Sequence, residues 1–130
     1  MKAYGRVLIA DDNDDIRKLL RLTLSNQDVE LIETNTGKEA LELAERMRPR
    51  LVLLDIMMPG EMDGLEVCRR IKTDHDLRQI KVVLVTSRGQ QADIREGNSM
   101  GADKYLVKPF SPLQLIDTLR ELFVRREFAL

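Results

Sequence analysis

Five short apolar runs, each followed by a stretch with helical spacing, restrict this chain to very few folds. The runs are Val7-Leu8-Ile9-Ala10, Val29 to Glu33, Leu51-Val52-Leu53-Leu54, Val82-Val83-Leu84-Val85 and Tyr105-Leu106-Val107. Runs this short, rich in β-branched residues, read as strands. Between them Ile16, Leu19, Leu20 and Leu24 share a helical face, as do Ala40, Leu43, Ala44 and Met47, then Leu65, Cys68 and Ile71, and last Leu115, Ile116, Leu119 and Phe123. The stretch between the fourth and fifth runs is weaker: Ala92, Ile94 and Met100 are interrupted by Gly89, Gly97 and Gly101. Helix starts are marked by Asn13 or Asp14, Thr36, Asp63 and Ser111, with Pro112 just inside the last. The alternation predicts an α/β fold of the (βα)5 type, a doubly wound parallel sheet with helices on both faces. Runs one, three and four are apolar throughout and belong in the centre. Run two alternates and run five is short, so both belong at edges, giving the flavodoxin-like order 2-1-3-4-5.

At 130 residues the chain reads as one domain, residues 1–130, with no output domain expected within it. The net charge of −1 argues against a nucleic-acid module, which is normally basic. No apolar stretch is long enough to span a membrane, and the N-terminus lacks the pattern of a signal peptide. A single cysteine, Cys68, excludes an internal disulfide and fits a reducing, cytoplasmic setting; with the lone His75 it also excludes a zinc site of Cys and His pairs.

Ligands of such sheets bind beyond the carboxyl ends of the strands. Asp11 and Asp12 follow the first run, Asp55 the third, Thr86 and Ser87 the fourth, and Lys108 with Pro109 the fifth. Three carboxylates, two hydroxyls and one ammonium therefore converge on one rim. Crowded carboxylates raise one another's pKa unless a cation intervenes, and Mg2+ suits one or two carboxylates plus water and phosphate. A carboxylate also serves as a nucleophile towards phosphorus, and the transferred group needs positive charge and donors around its oxygens. Mg2+, Lys108 and the Thr86 hydroxyl would supply them.

Asp11-Asp12, Asp55-Ile56-Met57-Met58-Pro59, Thr86-Ser87 and Lys108-Pro109-Phe110 together resemble the receiver domain of two-component response regulators, over about Val7 to Phe123. The resemblance implies a phosphorylation-driven switch, with Asp55 as phosphoacceptor and a histidine kinase or phosphotransfer protein as donor. Asp12, Asp55 and the backbone carbonyl of Met57 would hold Mg2+, with Asp11 assisting through water. Lys108 would pair with the acyl phosphate, and a cis bond would precede Pro109. Thr86 and Tyr105 would form the switch pair, passing the signal to a face made by the fourth helical segment, fifth strand and fifth helical segment. There a downstream protein or a second copy would dock, without direct contact to nucleic acid or membrane. The chain would catalyse its own phosphorylation and dephosphorylation without being a conventional enzyme. Met57 and Arg88, two residues past the phosphoacceptor and the switch threonine, would line the path of the hydrolytic water. Neither is a base, so slow hydrolysis is expected. One departure is clear: Pro59-Gly60-Glu61-Met62-Asp63-Gly64 is one residue longer than the usual loop and adds Glu61 near the rim.

Taken singly, most of these residues have plainer readings. Asp11 and Asp12 suit the start of a helix, Lys108 a surface, and Tyr105 a half-buried strand position. Met57 and Met58 suit core and rim packing, Cys68 an inert core, His75 a solvated loop, and Arg125 and Arg126 a solvated helix tail. Two rival functions remain. A Mg2+-dependent phosphatase of the haloacid-dehalogenase type needs a second Asp two positions after its nucleophile, where this chain has Met57. A degenerate receiver that only docks a partner would not need the full set of acids, Thr and Lys.

Overall fold

In the computed structural model of the chain, residues 5–87, 95–96 and 98–123 are described. Five strands form one parallel sheet: β1 (Arg6–Ala10), β2 (Glu30–Thr34), β3 (Leu51–Asp55), β4 (Lys81–Thr86) and β5 (Lys104–Val107), in the order β2-β1-β3-β4-β5. The helices are α1 (Asp14–Leu24), α2 (Gly37–Met47), α3 (Gly64–Thr73) and α4 (Pro112–Leu122). The expected class and strand order are both found. Of the glycine-interrupted segment between β4 and β5, residues 95–96 and 98–99 are helical, and residues 88–94 and 97 lie outside the described residues. So do Arg125 and Arg126.

The sheet separates two cores. Leu8, Val52, Leu54 and Leu84 face α2 and α3, where Ala40, Ala44, Val67 and Ile71 meet them. Val7, Ile9, Leu53 and Val83 face α1 and α4, where Leu20, Leu24, Leu115 and Leu119 pack. This is why β1, β3 and β4 are apolar at nearly every position. At the edge, β2 does not show the expected alternation of exposure: Glu30, Leu31, Ile32 and Glu33 are all half-buried. Leu31 and Ile32 pack on opposite cores, and arginines cover the two acids, Arg6 at 3.3 Å from Glu30 and Arg21 at 2.8 Å from Glu33. The strand also starts one residue later than the apolar run, because Val29 turns back to donate to the Gln27 carbonyl at 2.9 Å.

Each helix opens on the capping residue read from the sequence. Asn13, Thr36, Asp63 and Ser111 accept from the backbone N–H three positions on. At the opposite end of the sheet, Lys72 Nζ donates to the carbonyls of Arg78 and Ile80 at 2.8 and 2.9 Å and to Asp103 Oδ2 at 3.0 Å. That contact ties the end of α3 to the starts of β4 and β5. Cys68 is fully buried on α3, and burial pushes its thiol up to about 12, which makes it inert. His75 is exposed.

Candidate functional site

Parallel pairing sets the rim. Ala10 pairs with Leu54, Asp55 with Val85, and Thr86 with Val107, so the strand ends β1, β3, β4 and β5 stand side by side. One residue further along each chain come Asp11, the loop after Asp55, Ser87 and Lys108. Asp11 and Asp55 are 1% and 4% exposed, whereas Asp12 is exposed. Carboxylate oxygens of the three lie within 4.8 Å of one another. Lys108 Nζ is 3.0 Å from Asp11 Oδ2 and 3.5 Å from Asp55 Oδ1, and its backbone N–H donates to the Thr86 carbonyl at 2.6 Å. The Lys108–Pro109 bond is cis.

The loops hold these groups in place. Asp11 N–H donates to the Thr34 carbonyl at 3.2 Å, and Asp11 Oδ1 accepts from Asn13 N–H at 2.9 Å. Asp55 Oδ1 accepts from Met57 N–H at 3.4 Å. Gly64, which opens α3, donates to the Ile56 carbonyl at 2.9 Å and lies so close that an added Cβ would sit 2.0 Å from the Asp55 carbonyl oxygen. The helix thus braces the backbone of Asp55 directly, and only glycine fits there.

Burial above all, then the charge of Asp11, pushes the Asp55 carboxyl up to about 6, against the opposing pull of Lys108. Asp11 Oδ2 is buried without a hydrogen bond; the nearby Lys108 ammonium is at ion-pair distance but lacks hydrogen-bond alignment. Two buried carboxylates and an exposed third, with one ammonium between them, leave the site short of positive charge. An oxygen-seeking divalent cation answers that shortage, so these residues fit Mg2+.

Thr86 ends β4 and is fully buried; Tyr105, on β5, is half-buried against the α2–α3 core. Burial pushes the Tyr105 phenol up to about 12. Met57 projects from the rim with 58% of its surface exposed, while its neighbour Met58 is buried. Arg88 lies outside the described residues. The structure brings together Asp11, Asp12, Asp55 and Lys108; Thr86 ends β4 beside the rim, and Tyr105 lies on β5 opposite Leu84. The sequence did not signal Arg17, whose guanidinium donates to the Asp11 carbonyl at 2.6 Å.

The chain belongs to the response regulator receiver domain family, whose model matches residues 7–120. It is therefore a receiver domain of the two-component type, a class of signalling switches rather than conventional enzymes. It is 38% identical over 123 residues to the transcriptional regulatory protein SrrA of Staphylococcus aureus, covering 95% of this chain and 49% of that one. The chain thus spans about half the length of the curated relatives it matches. Among solved structures it is similar to the chemotaxis response regulator CheY4 of Vibrio cholerae, with TM-score 0.85, 29% identity and coverage of 92% of this chain and 98% of that one. It is also similar to the BeF3-activated N-terminal receiver domain of Klebsiella pneumoniae RstA, with TM-score 0.80, 31% identity and coverage of 89% and 96%. No helix among the described residues is long and apolar enough to cross a membrane.

Proposed function

We propose that the chain is a phosphorylation-activated switch that takes a phosphoryl group onto Asp55 from a histidine kinase or phosphotransfer protein. The observation that carries this reading is the placing of Lys108 Nζ 3.0 and 3.5 Å from two buried carboxylates, beside the exposed Asp12. Asp11, Asp12, Asp55 and the Met57 carbonyl would hold Mg2+, which when bound neutralises charge on the phosphoryl oxygens. An Asp55 carboxylate oxygen forms the new bond to phosphorus as the donor's P–N bond breaks, and the proton needed by the leaving imidazole comes from the donor's side or from solvent. Lys108 then exchanges its carboxylate partners for a phosphoryl oxygen, a charge-assisted contact of the same kind. The Thr86 hydroxyl donates to another phosphoryl oxygen, and Tyr105 follows inwards.

The response travels to the face made by the segment between β4 and β5, β5 itself and α4, where a downstream protein or a second copy docks. One local charge event biases a two-state element. The setting is cytoplasmic, and no nucleic-acid contact is assigned to these residues. Transcriptional control, named for the Staphylococcus relative, concerns a protein about twice as long. A phosphatase reading finds no support at position 57, where a methionine side chain stands exposed in place of an acid.

Beryllofluoride with Mg2+ is expected to slow amide exchange around Thr86, Tyr105 and the residues between 95 and 110; unchanged exchange there would remove the switch. Met57→Asn is expected to shorten the lifetime of the acyl phosphate by about ten-fold, or about 1.4 kcal/mol of barrier, because a thioether neither orients nor deprotonates water whereas an amide orients it. Decay followed by phosphate release in Mg2+ checks this, and an unchanged rate contradicts it.

A further inference from the structure

The loop between β1 and α1, with the first turn of α1, carries Asp11, Asp12, Asp14 and Asp15, four carboxylates in five positions. They repel one another, yet two of them must be held at a fixed spacing if they are to share a cation. Arg17 sits one turn into α1. A helical side chain leans back over the preceding turn, and here that turn is the acidic loop. The Arg17 guanidinium donates from Nη1 to the Asp11 carbonyl oxygen at 2.6 Å, pairs through Nη2 with Asp14, and lies 3.6 Å from Glu33 through Nε. Its side chain is only 17% exposed. Glu33 is held in turn by Arg21 at 2.8 Å. The guanidinium thus donates to the main chain of Asp11 and to Asp14 and faces Glu33 at ion-pair distance. Among the described residues it makes no ion pair with a carboxylate oxygen of the Asp11, Asp12 and Asp55 cluster.

We propose that Arg17 is a positioning residue of the cation site: it locks the loop that presents Asp11 and Asp12 while leaving their carboxylates to the ion. The inference rests on reading the acidic cluster as a Mg2+ site. It depends on the fork of the guanidinium, which hydrogen-bonds the Asp11 carbonyl and Asp14 while its third nitrogen faces Glu33; the single ammonium of lysine does not reproduce that geometry. Positioning and simple electrostatics predict opposite signs. Deleting a cation makes the loop more negative, and Coulomb attraction alone then tightens Mg2+. Losing the lock weakens it.

The test compares the parent chain with Arg17→Met and Arg17→Lys. Far-ultraviolet circular dichroism checks the fold, and calorimetric titration with Mg2+ alone gives the affinity. Arg17→Met is expected to bind Mg2+ about ten-fold more weakly, the usual scale for partners that orient ligands. Arg17→Lys is expected to stay a few-fold weaker than the parent although it keeps the charge. Equal or tighter binding by Arg17→Met, or full recovery in Arg17→Lys, would overturn the inference; if the Met variant does not fold, the Lys variant decides alone. Phosphoryl uptake from acetyl phosphate in the same samples separates the two readings. Weakened Mg2+ binding in the variants of a parent that takes no phosphoryl group supports the role of Arg17 and removes the proposed function. Unweakened binding beside normal uptake does the reverse. A parent that binds no Mg2+ removes both.

Discussion

Asp55→Asn is expected to abolish phosphoryl uptake and, in metal-free buffer at pH 8, to make the protein more stable. Asn keeps the volume of Asp but lacks the nucleophilic oxygen and the charge. The stabilisation comes from the buried position of the carboxylate beside Asp11. The folded protein holds the Asp55 proton with a pKa of about 6, against 3.8 for the ordinary carboxyl. Protonation therefore favours the fold. Its contribution is fully present below about pH 4 and is lost as pH rises through 6, so the parent should lose stability across that window and the variant should not. Each tenfold gain in proton affinity on folding corresponds to ~1.4 kcal/mol. Water at the open rim screens part of this, and Asn gives up the contact with Lys108, so about 1–2 kcal/mol is expected from denaturant titration at pH 8. Added Mg2+ should reverse the order by stabilising the parent more than the variant. An Asp55→Asn protein less stable than the parent in metal-free buffer would contradict the electrostatic account of the rim.

The largest loss of stability is expected from Gly64→Ala. An added Cβ would meet the Asp55 carbonyl oxygen at 2.0 Å and the Asp55 carbonyl carbon and Ile56 Cα at 2.8 Å. All three are main-chain atoms of a buried strand end, which cannot move as a flexible side chain can. Overpacking of this kind costs about 3 kcal/mol or more. It also pushes on Asp55 itself, so the surviving folded fraction should take up phosphate slowly. Gly60, four residues earlier in the loop that leads into α3, is the control. Its φ of +95° favours glycine, but an added Cβ meets nothing within 4 Å. Gly60→Ala should cost only about 1 kcal/mol, the strain of the left-handed backbone. Equal losses from the two variants, in thermal or chemical unfolding, would mean that the α3 start does not brace Asp55.

Much of this architecture was legible because the relevant forces act through residue type. β1, β3 and β4 are buried on both faces, so nearly every position had to be apolar. The four helix starts showed because capping needs a short polar side chain with an oxygen or amide. The convergence of Asp11, Asp12, Asp55 and Lys108 could be read because the fold itself puts strand ends on one rim. Other features left no such trace. The hydrogen bond from Arg17 to the Asp11 carbonyl and the contacts of Lys72 with the carbonyls of Arg78 and Ile80 end on main-chain oxygens, which every residue possesses. Gly64 read as part of a loop, since close approach depends on which backbone lies opposite. The even half-burial of β2 came from Arg6 and Arg21 reaching across from other elements, a tertiary effect that alternation along the strand does not encode. The stretch Pro59 to Gly64, one residue longer than usual, still sets Gly64 against Asp55, and within it Gly60 takes a positive φ in open space.

Uptake of a phosphoryl group by Asp55, in a reaction that needs a divalent cation held by its neighbours, is tested most directly by intact mass. The chain is incubated with acetyl phosphate, once with Mg2+ and once with a chelator in its place. One phosphoryl adduct per chain is expected in Mg2+, mapped to Asp55, and none with the chelator. An adduct that forms equally well without Mg2+, that maps to another residue, or that persists in Asp55→Asn would contradict the proposed chemistry.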